Sequence, residues 1–226
     1  MPVTRADLEK NALRQSLEHS PIGGQMLSEA ALEASLQQAL AQRPAGPDVW
    51  LFGYGSLVWN PFIRFLERRP GTVRGYHRRF CLWSRINRGT PEQPGLALGL
   101  EPGGACRGVV FRMDDNVAED ELRILWRREM MLGSYVPRWV RATSRGESLT
   151  ALTFVINRAS SGYAGRLSDA QIVHTLMHAS GLYGSSMDYL TRTVAGLNHC
   201  GIRDPRLERL RDLALERMAA AQRHPQ

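Results

Sequence analysis

The sequence predicts an α+β fold, and three observations carry that prediction. Between residues 49 and 155 short apolar, β-branched and aromatic runs follow one another, with turn residues between them. After Ser168 the spacing of apolar residues changes to the helical period. Strands cluster first and helices later, which argues against the regular alternation of a doubly wound sheet.

Taken in order, residues 4–18 and 28–42 carry Leu and Ala at helical spacing, separated by Pro21-Ile22-Gly23-Gly24. The run Arg43-Pro44-Ala45-Gly46-Pro47 ends the second segment. Residues 1–47 therefore form a helical N-terminal extension, whose leucine spacing predicts that it packs on a domain spanning 48–226. Within that domain Val49-Trp50-Leu51-Phe52 reads as a buried strand ending in Gly53. Further strands are expected at 72–76, 79–83, 96–100, 106–113, 135–143 and 149–155, with Glu101-Pro102-Gly103-Gly104 as a separating turn. Helices are expected at 116–131, 169–180, 186–198 and 204–223, with Ser168 and Asp204-Pro205 supplying start signals.

Composition bounds the function. With 226 residues, 43% of them hydrophobic, the chain can bury one substantial core. No apolar run approaches the roughly 18 residues of a membrane span, and the polar first twenty residues hold no signal-peptide core. Cys81, Cys106 and Cys200 are widely spaced and odd in number, which suits small core residues in a reducing cytoplasm better than disulfides or zinc. The net charge of +7 raises the question of nucleic acid. Lys10 is the only lysine, however, and the arginines are scattered in singles and pairs among acids and apolar residues. No basic block or aromatic-interleaved motif appears, so nucleic acid is not an expected partner, whereas a small anionic substrate suits the charge.

The segment Trp50-Leu51-Phe52-Gly53-Tyr54-Gly55-Ser56-Leu57-Val58 poses the main question. Glycines after a strand permit positive φ and let backbone N–H groups face a ligand. A phosphate loop needs a lysine that is absent here, and a dinucleotide fingerprint needs a third glycine where Val58 stands. A nucleophile elbow would need that glycine too, with a residue between Gly55 and Ser56. Two readings remain, a tight turn that ends a strand or a backbone nest for a carboxylate or an oxyanion.

A second feature is Leu125-Trp126-Arg127-Arg128-Glu129. The stripe Leu122, Leu125, Trp126, Glu129 places the carboxylate on or beside the apolar face of a helix, with Arg127 and Arg128 directed elsewhere. Apolar surroundings raise a carboxylate's pKa, as a general base near neutral pH requires. Pairing of Glu129 with a neighbouring arginine is the competing reading. Arg79 is a candidate for a substrate carboxylate or for a salt bridge at a strand end. His174 and His178 lie four apart on a helix without a third metal ligand in sight, and Trp59, Trp83, Trp126 and Trp139 read as core or pocket wall.

The ordered set Phe-Gly-Tyr-Gly-Ser-Leu-Val-Trp (52–59), Arg-Arg-Phe (78–80), the run from Arg88 to Met113, Leu-Trp-Arg-Arg-Glu-Met (125–130) and Met-Asp-Tyr-Leu (187–190) resembles the ChaC family of γ-glutamylcyclotransferases. The resemblance runs from about residue 49 to about 215. It implies the γ-glutamylcyclotransferase-like fold, a mixed barrel-like sheet flanked by helices. It implies that glutathione is cyclised to 5-oxoproline with release of Cys-Gly, without metal, other cofactor or covalent enzyme intermediate. The family's catalytic glutamate falls on Glu129. Its substrate loop falls on Gly53, Tyr54, Gly55, Ser56, Leu57 and Val58, and its substrate-side tyrosines on Tyr135 and Tyr189. A related cyclotransferase for other γ-glutamyl amines, or a binding module that regulates cation transport, are the alternatives. Oligomeric state is not legible.

Overall fold

The computed structural model describes residues 4–18 and 23–223. Its centre is a closed barrel of five strands, β1 (Val49–Gly53), β2 (Glu67–Ser84), β3 (Gly95–Met113), β4 (Tyr135–Ser144) and β5 (Glu147–Ile156). The order around the barrel is β1-β3-β2-β4-β5, closed by a parallel pairing of β1 with β5 through Trp50–Ala151 and Leu51–Leu152. Helix α4 (Asp115–Glu129) follows β3. Helices α5 (Asp169–His178), α6 (Ser186–His199) and α7 (Pro205–Arg223) form the C-terminal group, and a two-residue ladder of β6 (Ser180–Gly181) with β7 (Gly184–Ser185) leads into α6. The α+β class is borne out.

The expected pairs of short strands at 72–76 with 79–83, and 96–100 with 106–113, are corrected to two long ones. β2 and β3 pair antiparallel along nearly their whole length, Glu67 opposite Arg112 and Ser84 opposite Gly95. The turn expected at 101–104 is instead an irregularity inside this ribbon. Its register shifts between Arg74 and Tyr76, where Gly75, Gly103 and Gly104 all have positive φ. A glycine bulge bends a strand without ending it, so the ribbon curves around the barrel.

The core draws on strands buried on both faces, where neighbours such as Leu51 and Phe52 or Val110 and Phe111 are both buried, as well as on alternating ones. Leu51, Phe52, Val73, Phe80, Leu98, Val110, Phe111, Leu152 and Phe154 are buried, and Trp126 of α4 closes edge-on against Phe154 with ring centroids 5.3 Å apart. Burying such side chains contributes about 1.5–3 kcal/mol each before entropy is counted. Cys81 and Cys106 are buried free thiols, and burial pushes Cys81 up to about 12.

The N-terminal segment contributes three helices. The segment expected as one helix over 4–18 is broken into α1 (Arg5–Glu9) and α2 (Ala12–Glu18) at Asn11, whose φ is 55°. Asparagine tolerates this left-handed conformation better than most residues. Pro21 and Ile22 of the expected boundary lie outside the described residues. Helix α3 (Glu29–Ala41) starts at the Ser28 cap and buries Leu32, Leu36 and Ala39 in the main core. Leu8, Leu13 and Leu17 join Ile124 and Met131 in a separate apolar cluster.

Candidate active site

The strand β1 delivers its chain into a 3-10 turn, Ser56–Val58, and the turn is glycine-rich for a reason other than the expected one. Neither Gly53 nor Gly55 has a positive φ. What they permit is close approach. A Cβ on Gly53 would lie 3.0 Å from Leu57 Cβ and 3.1 Å from the Phe111 ring, and one on Gly55 would lie 2.8 Å from Tyr189 Oη. Gly55 thus lets the hydroxyl of α6 reach the turn. Val58 N–H donates to Gly55 O at 3.0 Å and Trp59 N–H to Ser56 O at 3.2 Å. The amides of Ser56 and Leu57, as the leading N–H groups of the turn, donate to no acceptor among the described residues.

Helix α4 ends at Glu129, which brings its carboxylate over this turn through Arg128. Arg128 Nη2 donates to Ser56 Oγ at 2.7 Å and Nη1 to Asn60 O at 2.5 Å, while its Nε lies 3.1 Å from Glu129 Oε1. The expectation that Arg128 points elsewhere is therefore corrected. Position 128 lies in the last turn of the helix, so a long side chain can turn back over the open end and join its neighbour. Both readings of Glu129 hold at once, since it is ion-paired and also held above the usual carboxylate range. Burial is the larger influence on its pKa and Arg128 partly opposes it. The carboxylate side chain is only 13% exposed, and Oε1 accepts no hydrogen bond among the described residues.

The two tyrosines meet at one peptide unit of β3. Tyr135 Oη donates to Leu98 O at 2.9 Å, and Leu98 N–H donates to Tyr189 Oη at 3.3 Å. Tyr135 has thereby committed its proton, whereas Tyr189 accepts and keeps its own O–H for another partner. Burial pushes the Tyr189 phenol up to about 12, so it stays protonated at neutral pH.

These groups open onto one cleft of about 440 Å³, within the usual range for small-molecule sites. Of the residues expected at the site, Ser56, Glu129, Tyr135 and Tyr189 line it. Gly53, Tyr54, Gly55, Leu57 and Val58 do not. Tyr54 is buried, with its hydroxyl donating to Phe154 O at 2.6 Å, and Leu57 and Val58 are core residues. Arg79 is also away from the cleft, 3.7 Å from the buried carboxylate of Glu101, which is the salt-bridge alternative. His178 Nδ1 lies 2.8 Å from His174 O, and among the described residues no metal-type cluster of three side chains occurs.

The cleft also holds residues that sequence reasoning missed. Arg88, 8% exposed, uses Nη1 for both Tyr183 O at 2.7 Å and Asp188 Oδ2 at 3.1 Å, which leaves Nε and Nη2 for an anion. Arg192 shares Asp188 through its other oxygen at 2.9 Å. Both guanidiniums lie over the Trp59 ring, at 5.7 and 5.4 Å from its centroid. Four arginines, Arg85, Arg88, Arg128 and Arg192, thus line a cleft whose carboxyls are Glu129 and Asp188. Arg88 and Asp188 stand in segments that carry the resemblance to the family, but neither those segments nor the arginine excess says which arginines converge.

Comparison with known proteins agrees with this architecture. Residues 49–217 match the family described as ChaC-like protein. A glutathione-specific γ-glutamylcyclotransferase of Escherichia coli (strain K12) is 39% identical over 178 residues, covering 78% of this chain and 77% of that protein. Glutathione-specific γ-glutamylcyclotransferase 1 of Rattus norvegicus is 32% identical over 190 residues, covering 79% and 86%. The crystal structure of a yeast γ-glutamyl cyclotransferase specific to glutathione superposes with a TM-score of 0.70 at 20% identity, covering 76% of this chain and 97% of that one, and so shares the fold. With its barrel, its glycine turn and the glutamate at the end of α4 inside the matched span, this chain belongs to the ChaC family.

Proposed function

We propose that this protein is a glutathione-specific γ-glutamylcyclotransferase that cyclises the γ-glutamyl group to 5-oxoproline and releases Cys-Gly. The observation that carries the reading is Glu129, a carboxylate with raised proton affinity in a cleft lined by four arginines. Membership of the family supplies the reaction class.

The substrate brings its own nucleophile. Its α-amine can curl onto the γ-carbonyl carbon and close a five-membered ring, so the protein needs no nucleophile of its own. Glu129 takes a proton from the α-ammonium so that the free amine can add to the γ-carbonyl carbon. As the oxyanion collapses and the C–N bond breaks, that proton and the second one shed by the ring nitrogen both pass to the departing cysteinyl nitrogen, so that no net proton or water is consumed. Holding the curled conformer draws on intramolecular advantage, up to about 7–11 kcal/mol in favourable cases. The free amide of Ser56 and the O–H of Tyr189, both on the cleft wall, would hold the γ-glutamyl carboxylate or the oxyanion. One such donor is worth about 3–4 kcal/mol in comparable sites. Arg88 offers two unspent N–H groups to a substrate carboxylate, and glutathione carries two carboxylates.

The test is release of 5-oxoproline from reduced glutathione by the purified protein without added metal, compared with oxidised glutathione and simple γ-glutamyl amino acids. Glu129→Gln should abolish release while the fold is retained. Turnover of the simple γ-glutamyl amino acids in preference to glutathione would replace the substrate assignment, and near-normal activity of Glu129→Gln would remove the assigned base.

A further inference from the structure

Part of the cleft wall comes from outside the span that matches the family. Leu8 at the end of α1 and Leu13 in α2 line the cleft together with Phe62, Ile86, Met131 and Tyr183. These six belong to one apolar cluster, distinct from the barrel core. Leu8 is 1% and Leu13 6% exposed.

The wall is latched in place. Arg5 of α1 donates to both oxygens of Glu121, at 2.6 and 2.8 Å, and that carboxylate is 2% exposed. The same guanidinium donates to Phe62 O at 2.8 Å. Phe62 has a φ of 56°, a left-handed conformation that a bulky residue keeps only when its surroundings impose it. Its ring lies under the Arg128 guanidinium at 4.8 Å, next to Glu129. Arg127 adds a second tie, donating to Leu8 O and Glu9 O at 3.1 and 2.9 Å.

The polar groups, Glu129, Ser56, Tyr189 and Arg88, suit the γ-glutamyl half of the substrate. An apolar wall beside them has the chemistry to meet the side chain of the residue that leaves. We infer that the N-terminal helices form a specificity wall of the active site, with Leu8 and Leu13 packing against the cysteinyl side chain of the substrate. This inference rests on the proposed cyclotransferase reaction.

A bump-and-hole experiment tests it. Leu8→Ala and Leu13→Ala each open a hole that an S-alkyl group can fill, so kcat/KM for S-propylglutathione relative to glutathione should rise at least about fivefold over the parent in either variant, in line with methylene-scale discrimination by apolar pockets. Leu17→Ala is the control, since Leu17 shares the apolar cluster but does not line the cleft. It should leave the ratio unchanged while loosening the helices comparably, and thermal unfolding of all three variants reports that loosening. An unchanged ratio in both Leu8→Ala and Leu13→Ala, with 5-oxoproline still released, overturns the wall alone. The same holds if Leu17→Ala shifts the ratio as much as they do. Absence of 5-oxoproline release by the parent protein from every γ-glutamyl substrate overturns the reaction and the wall with it.

Discussion

Glu129 Oε1 and Arg128 Nε are 3.1 Å apart, and the same oxygen accepts no hydrogen bond among the described residues. The cation tempers the carboxylate's proton affinity without capping its lone pairs. Glu129 also sits at the negative end of the α4 dipole, which adds to the disfavour of its charged form. A carboxylate held this way has its proton affinity raised by burial and keeps an oxygen open to a further proton donor, as the proposed base requires.

The first expectation concerns pH. The proposed base must be ionised to act, so kcat/KM should fall as pH drops through the raised Glu129 pKa, giving an acid limb above the usual glutamate value of about 4.3. Arg128→Met removes the influence that lowers this pKa, so the limb should move to higher pH. A pH–rate profile with a limb that stays put in the variant would contradict the pairing as described.

Stability should show the same group with the opposite preference. Glu129 has a raised pKa in the folded state and an ordinary one when unfolded, so folding takes up a proton between the two values. Its contribution to stability is full below the unfolded value and is lost as pH rises through the folded one. Glu129→Gln should therefore raise Tm at pH 8, by the equivalent of about 1.4 kcal/mol for every tenfold difference in proton affinity between the two states, and match the parent near pH 4. Thermal unfolding at the two pH values checks this.

The tyrosines should not be equivalent. Tyr189→Phe removes the hydroxyl with the uncommitted proton and strands the buried Leu98 N–H, so kcat/KM should drop about 10–100-fold. Tyr135→Phe removes a hydroxyl whose proton is already given to Leu98 O, and should cost well under tenfold in kcat/KM. Steady-state kinetics on both variants would expose a reversed order.

Gly55→Ala should cost activity through Tyr189. The new Cβ would stand 2.8 Å from Tyr189 Oη, and displacing that ring from the turn should lower kcat/KM about 100-fold. In a double-mutant cycle, Gly55→Ala should add little once Tyr189→Phe has removed the oxygen it collides with. Full additivity would show that the close approach has no functional weight.

Arg5→Met should destabilise the fold by about 3 kcal/mol, because it leaves the buried Glu121 carboxylate without its bidentate partner. Urea denaturation measures it, and a change under about 0.5 kcal/mol would mean that Arg64, whose backbone N–H lies 2.8 Å from Glu121 Oε2, is sufficient.

Much of the frame was legible in the residues. Leu122, Leu125 and Trp126 are buried where helical spacing put them, with Glu129 one turn beyond at the end of α4. The Pro/Gly run at 43–47 and the start signals at Ser168 and Asp204-Pro205 mark helix ends that the structure keeps. The strands were legible as apolar runs but not in their lengths. Gly75, Gly103 and Gly104 read as punctuation, and only the paired ladder shows that they bend a continuous ribbon.

The sequence by itself determined the α+β class, the glycine turn after the first strand and a glutamate on an apolar helix face. These are local facts, set by side-chain period, by turn chemistry and by the missing Cβ of glycine. Only the tertiary structure decided that Gly55 is there to admit Tyr189, that Arg128 turns back to Glu129 and Ser56, and that Leu8 and Leu13 wall the cleft. Periodicity reports which face of an element is buried, not what lies across from it. Arg128 and Ser56 are 72 residues apart in the chain, and Gly55 and Tyr189 farther still. They meet only once β1 has closed on β5 and the helices have packed against the barrel.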